Sequence, residues 1–252
     1  MKLKRKGENK LNKEFQIQKK GISADILKWI ALVTMLIDHT GASILEKLPQ
    51  YSTVEWVYQL DLVLRFIGRI AFPIYCFLLV EGFWMTRSRK KYAINLFVFA
   101  LISEIPFELS FMGGLDIGFH NVYWTLLLGM LLMMALEEIK LRKQDKYNLL
   151  ALLAVAVLAV TAQLVNTDYG AIGVVLIFIL YQTRDERKKQ SILGAVAMCY
   201  EITAPIAFVL TYYYNGKRKP RRCRFTKYAF YAFYPIHLLI LYWVKLLILK
   251  VI

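Results

Sequence analysis

His39 lies inside an apolar run, with Asp38 beside it and Lys28 eleven residues earlier, in "DILKWIALVTMLIDHTGA" (25–42). Imidazole is the side chain best suited to take and return a proton near neutral pH, a carboxylate orients or neutralises a partner, and an ammonium holds an anion. In a helix of about 3.6 residues per turn, that spacing is close to three turns, so Lys28 and His39 share one face, about 16 Å apart along the axis. Asp38 then points about 100° from His39 and is expected to pair with an arginine of another helix. A cation at one end and a possible general base at the other suit a ligand that is anionic at one end and reactive at the other. Two plainer readings stand beside this one: Lys28 as a lysine snorkelling at a membrane boundary, and Asp38–His39 as a structural hydrogen-bonded pair.

Other ionisable groups interrupt apolar stretches. Arg65 and Arg69 in "LRFIGRIAFPIYCFLLVEGF" (64–83) are four apart and share a helix face. They are expected to pair with Asp38, and a guanidinium there would also polarise a reacting carbonyl oxygen. An ion-pair network without catalytic role is the competing reading. Asp61 precedes them and Glu81 follows. Glu104 and Glu108 flank Pro106, and His120–Asn121 precede "VYWTLLLGMLL", where Asn121 reads as a helix cap. Tyr228, Tyr231 and Tyr234 resemble an interfacial aromatic belt, and His237 follows Pro235 as either a packed or a catalytic histidine. Cys76, Cys199 and Cys223 have no metal-ligand spacing, so no metal site is expected, and no GxSxG, P-loop, HExxH or GxGxxG motif is present.

The elements that must carry these groups are membrane helices. The chain has 252 residues, 58% of them hydrophobic, and a net charge of +15. Its apolar stretches alternate with short basic clusters, "RSRKK", "KLRKQDK", "RDERKK" and "KRKPRRCR". That alternation is the pattern of a polytopic membrane protein with its Lys/Arg loops in the cytoplasm, and it lacks the continuous basic face of a nucleic-acid binder. The fold expected is an all-α integral-membrane bundle of eight or nine transmembrane helices, nine being preferred. The spans fall at 26–47, 64–85, 92–112, 121–139, 147–165, 169–183 and 228–250, with 48–63 as an interfacial loop or short helix. Residues 191–214 read as two short or re-entrant helices broken near Glu201–Pro205, because one full span would put the basic 215–227 on the outside. The N-terminus is then cytoplasmic and the C-terminus outside. Residues 1–22 form a basic tail before a retained signal-anchor helix, and 23–252 form one membrane domain. The residues by themselves lead to a membrane protein with an ionisable core: an enzyme, a proton-relaying transporter or a non-catalytic assembly factor.

Five segments, "LKWIALVTMLIDHTGA", "RFIGRIAFPIYCFLLVEGF", "NVYWTLLLGM", "NTDYGAIGVVL" and "YAFYAFYPIHLLILY", occur in the order and spacing of the TraX family. The chain resembles that family from about residue 23 to 250. The family is named for a conjugal-transfer protein that N-acetylates pilin. The Lys28–x10–His39 arrangement is also similar to the Arg/Lys–x10–His signature of the acyltransferase-3 membrane proteins, and "FPIYCFLLVEG" to a segment of the heparan-acetylating transferases. The resemblance implies an acetyltransferase of the bacterial cytoplasmic (inner) membrane. Acetyl-CoA would be the co-substrate, bound from the cytoplasm near Lys28. His39 would act as general base or acyl carrier, and Asp38, Arg65 and Arg69 would orient the site and stabilise the oxyanion. Glu81, Glu104, His120, Asn121, Tyr234 and His237 would line it. The acceptor would be a pilin-like N-terminal amine or a cell-surface glycan hydroxyl.

Overall fold

The structure, a computed structural model, describes residues 21–115, 118–142, 144–217 and 224–251. The basic tail up to residue 20 and residues 218–223 of the late basic loop lie outside the described residues. Among those described the regular elements are helices: α1 Ala24–Ser43, α2 Glu55–Gly68, α3 Ala71–Met85, α4 Arg89–Phe111, α5 Val122–Arg142, α6 Tyr147–Leu164, α7 Gly170–Gln182, α8 Arg187–Ala197, α9 Ile206–Tyr212 and α10 Arg224–Val251, with short 3-10 turns between some of them. Five stretches are long and apolar enough to cross a membrane: Glu55–Met85, Arg89–Phe111, Val122–Arg142, Tyr147–Leu164 and Tyr228–Lys250. This is a multi-pass membrane protein. Lys28, Asp38 and His39 make α1 more polar than these, and it is not among them.

α3 is the post around which the others stand. Ten of its 15 residues are buried, and it packs against α1, α5, α7 and α9. A helix buried on all sides shows no polar stripe, which is how "AFPIYCFLLVEGFWM" reads. α6 is at the other extreme. Leu149, Leu152, Leu153, Val157, Val160 and Leu164 are all more than half exposed, which makes this face a surface for lipid tails.

Two sequence expectations change here. Residues 48–63 hold a 3-10 turn at Pro49–Ser52 and then α2, so the helical run begins at Glu55 rather than 64. The run 55–85 is also broken at residues 69–70. Pro73 has no N–H to give to the Arg69 carbonyl, which loosens the ladder there, and Gly68 just before it lets α1 come close. A Cβ at Gly68 would lie 2.1 Å from Asp38 Cβ, so only glycine fits this crossing. The break between α8 and α9 falls at 198–205, on the stretch that contains Pro205. Arg69 Nε meets Glu201 at 2.8 Å, which docks this break against the end of α2.

Pro235 lies inside α10, and the Tyr231 carbonyl it leaves without a helical partner accepts from the Tyr123 hydroxyl at 3.0 Å. Lys245, 5% exposed, donates to the Leu109 and Ser110 carbonyls at 3.1 and 2.8 Å, placing a cation on the C-terminal carbonyls of α4. Gly68→Ala should destabilise the protein by about 1–3 kcal/mol, several degrees in thermal midpoint in detergent. Gly114→Ala, where a Cβ meets nothing within 4 Å, should leave the midpoint unchanged.

Candidate active site

Two cavities lie along one face of α1. The inner one, about 440 Å³, is lined by Lys28, Glu81, Arg87 and Lys91 with Tyr92, Tyr214 and Phe230 among its walls. The outer one, about 340 Å³, is lined by Asp38, His39, Glu46, Lys47, Arg65, Arg69, Asp168, Tyr169 and Tyr234, with Phe72, Phe107, Phe111 and Phe119. Lys28 therefore faces one cavity and His39 the other. The loops after α3 and α9 border the inner cavity, and those after α1, α4 and α6 border the outer one.

His39 is held by a chain of hydrogen bonds that settles its tautomer. His237 Nδ1 lies 2.7 Å from the Phe233 carbonyl, which can only accept, so Nδ1 carries the proton. Neutral His237 then has a lone pair on Nε2, and His39 Nδ1 lies 2.7 Å from it with the two rings only 9° from parallel. His39 therefore donates from Nδ1 and keeps an unprotonated Nε2. His237 is 4% exposed and does not line the outer cavity, whereas His39 does. This is the arrangement of a base oriented by a second group behind it. His39 also packs edge-on against Phe111 and Tyr234.

Asp38 turns away from His39, as the helical phase requires, and meets Arg65 Nη1 at 2.5 Å. Arg65 Nε reaches Glu46 at 3.4 Å. Arg69 pairs with Glu201 and not with Asp38. Asp61, 2% exposed, accepts from the Tyr51 hydroxyl at 3.2 Å and packs beside Gly41. Both arginines are thus neutralised but line the cavity, each with more N–H donors than its carboxylate partners use.

Glu104, His120 and Asn121 line neither cavity. The Glu104 carboxylate accepts from Asn121 and, at 3.0 Å, from Trp124 Nε1, and it also pairs with His120 Nδ1. Asn121 Oδ1 caps α5 by accepting from Tyr123 N–H at 3.0 Å. The purpose of this cluster is visible one residue further along. His120 N–H donates to the Asn166 carbonyl at 3.0 Å, and the His120 carbonyl accepts from Asp168 N–H at 2.8 Å. The cluster thereby clamps the 165–169 loop, and Thr125 adds a bond to the Asp168 carbonyl. Glu81 belongs to the inner cavity, where Arg184 and Arg187 hold it at 3.3 and 3.1 Å.

The clamped loop brings in two residues that the sequence reading passed over, Asp168 and Tyr169. Tyr169 has φ 63°, a left-handed conformation that a bulky residue adopts only when its surroundings impose it. Its ring stacks on Phe72 with centroids 3.6 Å apart. Burial pushes the Asp168 carboxyl up to about 7, and the charge of Asp38 adds to that rise. The "NTDYG" segment carried a signal, a non-glycine pair before a helix-opening glycine, but nothing local told that the loop folds inward. Among the described residues no group of three or more His, Cys, Asp or Glu is placed to hold a metal ion.

An acid whose folded pKa is raised binds more protons when folded than when unfolded, so stability falls as pH rises from the usual 3.8 through about 7. Asp168→Asn should therefore flatten the decline in thermal midpoint over that window, while wild type and Asp168→Asn converge at the acid end.

The TraX family model, described as TraX protein, matches residues 23–245. The probable fimbrial assembly protein FimC, serogroup H1, of Dichelobacter nodosus is 30% identical over 249 residues, covering 87% of this chain and 94% of that protein. No solved structure matches. With a family model and a full-length relative agreeing over the helices that build both cavities, the chain belongs to the TraX family.

Proposed function

We propose that this protein is an integral-membrane acyltransferase that moves an acetyl group from cytoplasmic acetyl-CoA to an amine or hydroxyl at or across the membrane. The observation that carries the reading is the His39–His237 hydrogen bond, which leaves Nε2 as the free base of a His39 that lines the outer cavity, on the same helix face as Lys28 in the inner one. Lys28, Arg87 and Lys91 give the inner cavity the charge to receive the phosphates of CoA, and Phe230 and Tyr92 offer it apolar walls. The pantetheine arm would run along α1 over the roughly 16 Å between the two residues.

The acceptor's nitrogen or oxygen attacks the thioester carbonyl carbon while His39 Nε2 takes its proton. The C–S bond then breaks, and the CoA thiolate leaves and recovers the proton from the imidazolium. In the alternative order Nε2 itself attacks the carbonyl carbon, the C–S bond breaks and the CoA thiolate leaves; the acceptor then takes the acetyl group from Nε2, and its proton passes to the thiolate. His237 holds His39 in the required tautomer, Asp38 fixes Arg65, and Arg65 and Arg69 supply donors for the developing oxyanion.

Five stretches are long and apolar enough to cross, and counting α1, α7, α8 and α9 as further membrane segments would bring the number to the nine preferred from the sequence. The inner cavity lies at the end of the bundle that carries the basic loop after α3, which supports a cytoplasmic assignment for it. A bacterial inner membrane and a fimbrial or pilin-like acceptor are in keeping with the relative's name, and a surface glycan is the other acceptor class. That name also favours a second reading, a non-catalytic assembly factor.

Free-thiol release by purified protein with acetyl-CoA and candidate acceptors separates the two. His39→Ala should lower acceptor-dependent release about 100-fold or more, and CoA should raise the thermal midpoint of wild type. Release equal in wild type and His39→Ala, with no shift at saturating CoA, would leave the assembly reading.

A further inference from the structure

Among the described residues, Tyr75 alone lines both cavities. Its place on α3 explains this. Ala71 and Phe72 lie four and three residues before Tyr75, Leu78 and Leu79 three and four residues after it, and Gly82 one turn further, so the six form one helix face. Ala71 and Phe72 line the outer cavity, Leu78, Leu79 and Gly82 line the inner one, and Tyr75 stands where the face changes over. A matching change occurs between α5 and α10. Tyr123 lines the inner cavity, Tyr234 lines the outer one, and their rings meet edge to face with centroids 5.3 Å apart. The helix that carries Tyr75 is held rigidly at this level, because Ile74, Cys76 and Phe77 on either side of it are fully buried.

We propose that the Tyr75 ring is the septum between the two cavities: it closes them off from one another at rest, and a ligand reaching from the inner cavity to His39 must turn it aside. A continuous cavity open at both ends would be a water path through the bilayer, and protons and water would follow it. Tyrosine suits the task. Its ring fills the aperture as an apolar plug, only two side-chain torsions must change to clear it, and its hydroxyl tolerates the polar cavities on both sides. The proposal rests on the acyl-transfer reading for the identity of the ligand that passes, but the seal itself does not depend on it.

The test is proton leak through proteoliposomes of purified protein, read by a trapped pH-sensitive dye after an external pH jump. Wild type and Tyr75→Phe should be tight, Tyr75→Ala should leak several-fold faster, and Tyr75→Leu should fall between. If Tyr75→Ala does not yield monodisperse protein, Tyr75→Leu decides. Variants as tight as wild type overturn the septum. Acetyl-CoA hydrolysis without acceptor supplies the second readout. It should rise in Tyr75→Ala relative to transfer, because water then reaches the thioester. A wild type that consumes no acetyl-CoA with any acceptor removes the transferase reading while the leak assay still decides the role of Tyr75.

Discussion

Asp38 and Arg65 meet at 2.5 Å across the crossing of α1 and α2, and the rest of the site depends on that contact. Either charge alone at the centre of a membrane helix costs about 3 kcal/mol or more, and removing one partner strands the other. Pairing them demands a close helix crossing, which is why Gly68 faces Asp38 where no Cβ would fit. It also sets the rotation of α1. With Asp38 committed to α2, the next residue, His39, must point toward α10, where His237 waits at 2.7 Å. One ion pair thus fixes the direction of His39, the cavity that it faces and, eleven residues earlier on the same face, the cavity that Lys28 faces.

The second layer of support comes from carboxylates that hold loops and breaks in place. Glu104 binds His120, Asn121 and Trp124, and the His120 backbone clamps the loop that presents Asp168 and the left-handed Tyr169. On the inner side Glu81 binds Arg184 and Arg187, tying the start of the α8–α9 pair to α3. In each case a carboxylate with several donors holds a loop or break against the helices. Irregular backbone is tolerated beside an apolar bundle only when its polar groups are satisfied in this way.

Helical phase makes part of this legible in the sequence itself. The shared face of Lys28 and His39, the turn of Asp38 toward an arginine, the cap at Asn121 and the break near Pro205 all follow from local spacing and residue chemistry. The early start of α2 did not, because Glu55 and Asp61 look unsuited to a membrane helix until Tyr51 is seen bonding Asp61. The partner of His39 stands 198 residues away, so no local pattern announces the relay. Asp168 and Tyr169 were hidden for a different reason. Their direction is set by a loop whose left-handed Tyr169 is held by contacts with His120, Thr125 and Phe72 from elsewhere in the chain. Tyr75 read as one more aromatic in an apolar helix, and only the two cavities on either side of it give it meaning.

The central claim is that a donor taken from one side of the membrane and an acceptor offered on the other meet at His39. Labelled acetyl-CoA sealed inside proteoliposomes, with an amine or hydroxyl acceptor supplied only outside, tests it most directly. The account predicts labelled acceptor outside, formed without external CoA and abolished by His39→Ala. Product that forms only when donor and acceptor share a compartment would contradict it.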